Sequence, residues 1–180
     1  MGDSITEEWG RLSPEFFQPV VFVNRGIGGQ TTPQMLLRFK QDVINLNPCI
    51  VFILAGTNDI AGNTGPSNID MITNNIYSMA ELAMTYNIKT VLSSILPVDK
   101  YPWSDQIKEV PETILTINKK LKSFSNQHDI IYIDYYSEMV GDNRGLKKEY
   151  TTDGVHLNKM GYDMMCEVVK KVLKKEGIAI

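Results

Sequence analysis

The stretch CIVFILAGTNDI, residues 49–60, decides the fold class. Its first seven residues are apolar and rich in β-branched side chains. They lack the polar alternation of a strand with one wet face, so the run suits a strand covered on both sides of a parallel sheet. Gly56 then breaks the run, and Asn58 and Asp59 belong to a turn at its carboxyl end. Three runs of the same kind lie outward from it: VVFVN at 20–24, KTVLSSIL at 89–96 and DIIYIDY at 129–135.

Amphipathic segments separate these runs. Thr31 or Thr32 can cap a helix with Pro33 in its first turn, and Met35, Leu36, Phe39, Val43 and Leu46 then line its inner face. A second helix is expected over 68–86. A third carries Val110, Ile114, Ile117, Leu121 and Phe124 at alternating steps of four and three, which puts them on one side, facing the sheet. A last helix is expected over 159–175, and one more near Ile5. The order βαβαβαβα predicts an α/β fold, a three-layer sandwich with right-handed crossovers. With 180 residues, a single domain over 1–180 is expected. The segment 97–110, with Tyr101, Pro102 and Trp103, is the longest loop, and such loops often line sites.

The formal net charge of −3 argues against a polyanion, and the dense basic tail at 170–175 reads as the solvated side of a helix, so no nucleic-acid partner is expected. Cys49 and Cys166 sit in apolar stretches with no ligand spacing and read as buried thiols, with no metal and no cofactor implied. No apolar run reaches the length of a membrane span. No signal peptide precedes the first motif, and the compartment is left open.

Four short motifs carry chemistry. Ser4, in GDSIT, stands at the head of a helix, where free N–H groups favour a developing oxyanion, although Asp3 and Ser4 equally suit a plain cap. Gly26, Gly28 and Gly29 follow an expected strand. Their spacing lacks the third glycine of a dinucleotide turn, because Thr31 stands there. Gly29 lets the backbone aim an N–H at a substrate carbonyl, or simply permits a turn. Asn58 can donate from its side-chain amide or serve its turn alone. Asp59 is assigned to shaping that turn. Asp153 and His156 lie three residues apart before the last helix, close enough for the carboxylate to accept from Nδ1–H and leave Nε2 as a base. Of the two histidines, His128 in SNQHD reads as a solvated side chain.

GDSIT, the second glycine of GIGG, the asparagine of GTND and the DGVH pair, in that order, resemble the four blocks of the SGNH hydrolases, also called GDSL esterases. The resemblance covers almost the whole chain, and GIGGQTT is most similar to the platelet-activating-factor acetylhydrolase-like and carbohydrate-esterase branches. Gln30 stands where many of those relatives have Asp. By this resemblance Ser4 is the nucleophile, Asp153 and His156 are its acid and base, and Ser4, Gly29 and Asn58 form the oxyanion hole. It also implies a flavodoxin-like parallel sheet of order 2-1-3-4-5. A central strand should run immediately before GDS, where this sequence has only Met1 and Gly2. The expectation is therefore a fragment or mis-started frame. A strand shared between chains of a homo-oligomer and a fold that tolerates the loss are the other two readings.

The expected function is a metal-independent serine ester hydrolase acting through an acyl-enzyme on short acyl esters, chiefly acetyl on a carbohydrate. Tyr101 and Trp103 are candidates for aromatic walls of the substrate site, with Tyr150 beside them. A lysophospholipase or other lipid esterase is the enzyme alternative, and a non-catalytic binding protein on the same fold is the alternative of another class. A nucleotide-binding domain is disfavoured by the failed glycine spacing. The resemblance also implies that secreted and periplasmic relatives are common.

Overall fold

Three short strands, β1 (Ile50–Ile53), β2 (Lys89–Ser93) and β3 (Ile131–Ile133), form a parallel sheet in the order β1-β2-β3 in a computed structural model that describes residues 1–18 and 22–178. Ile50 lies opposite Lys89, and Val91 opposite Ile131. Parallel neighbours need a crossover between them, and α5 (Ile69–Thr85) and α6 (Val110–Gln127) supply it.

The three layers follow from which side chains the sheet sends each way. On one face Val51, Ile53 and Leu92 pack with Met35 and Phe39 of α3 (Thr32–Asp42), with Ile72, Ile76 and Met79 of α5, and with Ile114, Ile117 and Leu121 of α6. On the other, Val91 and Ile133 pack with Ile5 of α1 (Ser4–Leu12), Met139 of α7 (Tyr135–Met139) and Tyr162, Met165, Val169 and Leu173 of α8 (Lys159–Lys175). Each helix buries one stripe, as the spacing predicts. Asn68, Asp134 and Asn158 cap α5, α7 and α8 by accepting from backbone N–H groups. Two short turns of helix, α2 (Pro14–Phe17) and α4 (Thr57–Ile60), complete the set.

Beyond β1 the sheet continues as single rungs. Gly2 pairs in parallel with Leu54 on one side and with Gly26 on the other. The Leu54 N–H donates to the Met1 carbonyl at 3.1 Å and the Ile27 N–H to the Gly2 carbonyl at 3.1 Å. The spatial order is thus Gly26, Gly2, β1, β2, β3, which is the flavodoxin-like order with its first two positions reduced to bridges. A Cβ at Gly2 would stand 2.8 Å from the Leu54 carbonyl oxygen, so the backbones meet more closely there than a side chain permits. Beside β1, Phe17, Phe22, Val43, Phe52 and Leu173 are among the residues that surround a cavity of about 640 Å³.

Several expectations are corrected. Of the run expected as a strand at 20–24, positions 20 and 21 lie outside the described residues, 22–24 have no regular structure, and Val23 is 60 % exposed. Leu46 follows the end of α3 in a separate turn that carries it out to solvent rather than onto the inner face. Cys49 is exposed, because it precedes the first paired residue of β1; Cys166 is buried as expected. Among the described residues, no helix is long and apolar enough to cross a membrane.

Candidate active site

Ser4 is the first residue of α1. Asp3 precedes it in extended backbone and caps the helix, its Oδ1 accepting from the Ile5 N–H at 3.0 Å. As the first helical residue, Ser4 has no carbonyl four positions back to receive its N–H, so that donor stays available. Asp3 is fully buried, and burial pushes its carboxyl up to about 6, against the pull of the Ile5 N–H and of the His156 charge nearby. From the far side the Tyr162 hydroxyl of α8 donates to the Ile5 carbonyl at 2.8 Å and holds the head of α1 against the helix that follows His156.

The loop from Asn24 to Thr31 wraps around this helix head. The Gly28 N–H donates to Glu7 Oε2 at 2.9 Å, and a Cβ at Gly28 would stand 3.8 Å from Ser4 Cβ, so the loop passes directly over the serine. Gly29 takes φ +75, a conformation that L side chains rarely adopt, and its N–H has no acceptor among the described residues. Asn58 sits on α4, one turn beyond β1, and is buried. The turn works only with glycine at 56: φ is +120, and a Cβ would lie 2.7 Å from Ile95 Cδ1. Asn58 Nδ2 donates to the Gln30 carbonyl at 2.9 Å, which leaves its second hydrogen free beside the Gly29 loop.

Asp59 does more than shape its own turn. It accepts from the Thr32 N–H and from Thr32 Oγ1, the latter at 2.6 Å, and so ties α4 to the start of α3.

Arg38, invisible as a site residue in the sequence, binds these parts together. Its Nε donates to Gln30 Oε1 at 2.6 Å, its Nη1 to Asp42 Oδ2 at 2.6 Å, and its Nη2 to the carbonyls of Gly2 and Arg25 at 3.1 and 3.0 Å. Arg25 also pairs with Asp42. Burial alone would raise the Asp42 carboxyl, but the hydrogen bonds from Arg38 and Arg25 outweigh it and hold the group below its ordinary value.

Asp153 and His156 form the expected pair. His156 Nδ1 lies 2.7 Å from Asp153 Oδ2, while Oδ1 of the same carboxylate accepts from the N–H groups of Val155 at 2.9 Å and His156 at 2.7 Å. Burial pushes this carboxyl up, and the hydrogen bonds from the His156 ring and backbone pull it further down, leaving it ionised at neutral pH. Thr151 Oγ1 donates to the His156 carbonyl at 2.7 Å and accepts from the Gly154 N–H, which closes the loop on itself. Among the described residues no hydrogen bond joins Ser4 Oγ to His156.

The two aromatic candidates part ways. Trp103 is 47 % exposed and tilts over His156, ring centroids 5.9 Å apart. Tyr101 is 1 % exposed and shares a hydrogen bond with Thr57 Oγ1 at 2.9 Å, so it braces α4 from behind rather than facing solvent. Tyr150 lies under the Lys147 ammonium, and its carbonyl accepts from the Asn158 N–H. His128 is exposed and rests on Phe124. Among the described residues no group of three His, Cys, Asp or Glu side chains could hold a metal ion. The cavity of about 640 Å³ is lined by neither Ser4, Gly29, Asn58 nor His156.

The model of the GDSL-like lipase/acylhydrolase family matches residues 1–164. Among solved structures, a GDSL-like lipase from Bacteroides thetaiotaomicron is 46 % identical with a TM-score of 0.94, over 98 % of this chain and 86 % of that one. An acetyl xylan esterase shares the fold with a TM-score of 0.78 at 19 % identity, over 94 % of this chain and 96 % of that one. Among curated relatives, an uncharacterized lipoprotein of Bacillus subtilis is 38 % identical over 80 residues, 42 % of this chain; the match spans only 32 % of that protein. The platelet-activating factor acetylhydrolase IB subunit alpha1 of Rattus norvegicus is 23 % identical over 96 % of this chain and 73 % of its own length. The chain belongs to the GDSL-like lipase/acylhydrolase family and is a carboxylic ester hydrolase.

Proposed function

We propose that this hydrolase, acting as one domain over its whole length, removes short acyl groups, acetyl foremost, from carbohydrate esters through an acyl-enzyme. The observation that carries the reading is the His156–Asp153 pair, in which one carboxylate oxygen takes the ring and the other takes two backbone N–H groups. A histidine so fixed keeps Nδ1 as the donor and leaves Nε2 as the base. Ser4 Oγ gives its proton to Nε2 and bonds to the ester carbonyl carbon. The oxygen that becomes negative is held by the N–H groups of Ser4 and Gly29 and by the free amide hydrogen of Asn58. Collapse breaks the bond to the alcohol, which takes the proton from His156. Water, deprotonated by the same nitrogen, then cleaves the acyl-serine.

The substrate assignment rests on Trp103. An exposed indole beside the base offers a flat face to a sugar ring. The acetyl xylan esterase likeness agrees with this choice. A lipid ester is the second reading, favoured by the likeness to the platelet-activating factor acetylhydrolase subunit. The test is a series of p-nitrophenyl esters of increasing acyl length beside an acetylated xylooligosaccharide, with wild type and Ser4→Ala. Rates should fall as the acyl chain lengthens, and acetate should be released from the sugar. Cleavage that improves with chain length favours the lipid reading; cleavage of no ester by the wild type removes the reading and leaves a binding protein.

A further inference from the structure

The residue that links the two side-chain and loop donors of the site is Asn63, which lies outside every motif in the sequence. It lies three residues past the end of α4, and its own N–H donates to the Asn58 carbonyl at 3.0 Å. Its side-chain nitrogen then makes two bonds at once: to Asn58 Oδ1 at 3.1 Å and to the Gly29 carbonyl at 3.2 Å. One planar amide therefore grips both elements that carry the oxyanion donors. The next residue repeats the link, with Thr64 Oγ1 standing 3.0 Å from Thr31 Oγ1.

We propose that Asn63 is a positioning residue of the oxyanion site, fixing which way the Asn58 amide faces and how the Gly29 turn is held; this rests on the reading of Asn58 and Gly29 given above. The physical need is plain. The two ends of an Asn side chain have nearly the same shape and opposite polarity. Turned by half a rotation, Asn58 would present Oδ1 to a developing negative charge and oppose it. The Gln30 carbonyl holds Nδ2 from one side, and Asn63 holds Oδ1 from the other, so the wrong orientation loses both bonds. By fixing the Gly29 carbonyl, Asn63 also restrains the left-handed turn that directs the Gly29 N–H. Preorganised donors of this kind act because they need no rearrangement as the charge forms.

Asn63 is exposed, so its removal opens no hole in the core, and rate and stability can be separated. The experiment measures kcat and KM for p-nitrophenyl acetate in Asn63→Ala, Asn63→Asp, Asn58→Ala and the double variant Asn58→Ala/Asn63→Ala. A single hydrogen bond's worth of positioning predicts a fall in kcat of roughly tenfold in Asn63→Ala with KM nearly unchanged. Asn63→Asp keeps the shape but loses the donors, and should fall at least as far. In the Asn58→Ala background most of the Asn63 effect should vanish, because the group it acts through is gone. An undiminished cost in that background, or a normal kcat in Asn63→Ala, overturns the proposal. A second readout does not need turnover: the Asn58 side-chain amide resonance, identified by its loss in Asn58→Ala, should shift in Asn63→Ala. If it does not move, the grip is refuted even where the esterase reading stands. If it moves while no variant cleaves ester, the grip stands and the catalytic reading fails.

Discussion

At the carboxyl end of β1, Gly2, Gln30, Arg38, Asn58 and Asn63 are joined by hydrogen bonds of 2.6 to 3.1 Å. Beside the amino end of the same strand, Phe17, Phe22, Val43 and Phe52 are among the residues that line a cavity, and the rings of Trp9, Phe16, Phe17 and Phe22 pack together at centroid distances of 5.1 to 6.0 Å. The two ends differ in kind. Hydrogen bonds are directional and fix an amide to a fraction of an ångström, whereas ring contacts and apolar burial reward coverage and tolerate shifts. On the proposed reading, the directional bonding lies at the end of β1 where the oxyanion would form.

Variants can break this contrast from either side. The largest effect is expected for His156→Ala, which removes the proposed base and should lower kcat by roughly a thousandfold or more, with melting temperature little changed because the ring is partly exposed. Steady-state ester hydrolysis beside a thermal melt checks both halves. Next is Asn58→Ala, with a loss of roughly a hundred- to a thousandfold in turnover. Near-normal turnover would take Asn58 out of the mechanism.

The opposite pattern is expected at the cavity. Leu173 is fully buried and is among the residues around it, so Leu173→Ala should cost about 2–5 kcal/mol. Urea unfolding measures that loss, and kcat should stay near the wild-type value. If instead the rate fell with stability, the two ends would be coupled.

The smallest effect concerns Asp3. Its folded value of about 6 lies above its ordinary 3.8. The folded chain therefore holds a proton that the unfolded chain releases across that window. The contribution of Asp3 to stability is full below about pH 4 and is lost as pH rises toward 6. Asp3→Asn keeps an acceptor for the Ile5 N–H and removes the titration. Relative to wild type, the variant should gain in melting temperature between pH 4 and pH 7, and a constant difference would contradict the account.

What could be read from the residues follows the same division. Runs of buried β-branched side chains and three-and-four periodicity are local, and they placed β1, β2, β3, α5, α6 and α8 within a few residues of where they stand. The Asp153–His156 pair was legible because both partners lie in one turn. Arg38, Asn63 and Tyr162 were not. Arg38 lies on a helix whose pattern is explained by packing alone, and Asn63 in a polar loop whose composition fits any turn. Each acquires its role only from carbonyls far off in sequence: Gly2 for Arg38, Gly29 for Asn63 and Ile5 for Tyr162. Tyr101 shows the reverse case. A loop aromatic reads as a candidate wall, but its hydroxyl found a buried partner in Thr57 and the ring went inward. For Cys49 and Leu46 the sequence points inward and the structure outward, because apolar runs do not announce where pairing starts or where a helix stops.

The central claim is that Ser4, at the head of α1, is the group that bonds to the acyl carbon. The direct measurement is covalent trapping: wild type and Ser4→Ala are treated with a fluorophosphonate, digested, and the modified residue is located by mass spectrometry. The account predicts one adduct, on Ser4, matched by loss of ester hydrolysis, and no adduct in Ser4→Ala. An adduct on another residue, or hydrolysis that survives in Ser4→Ala, would contradict it.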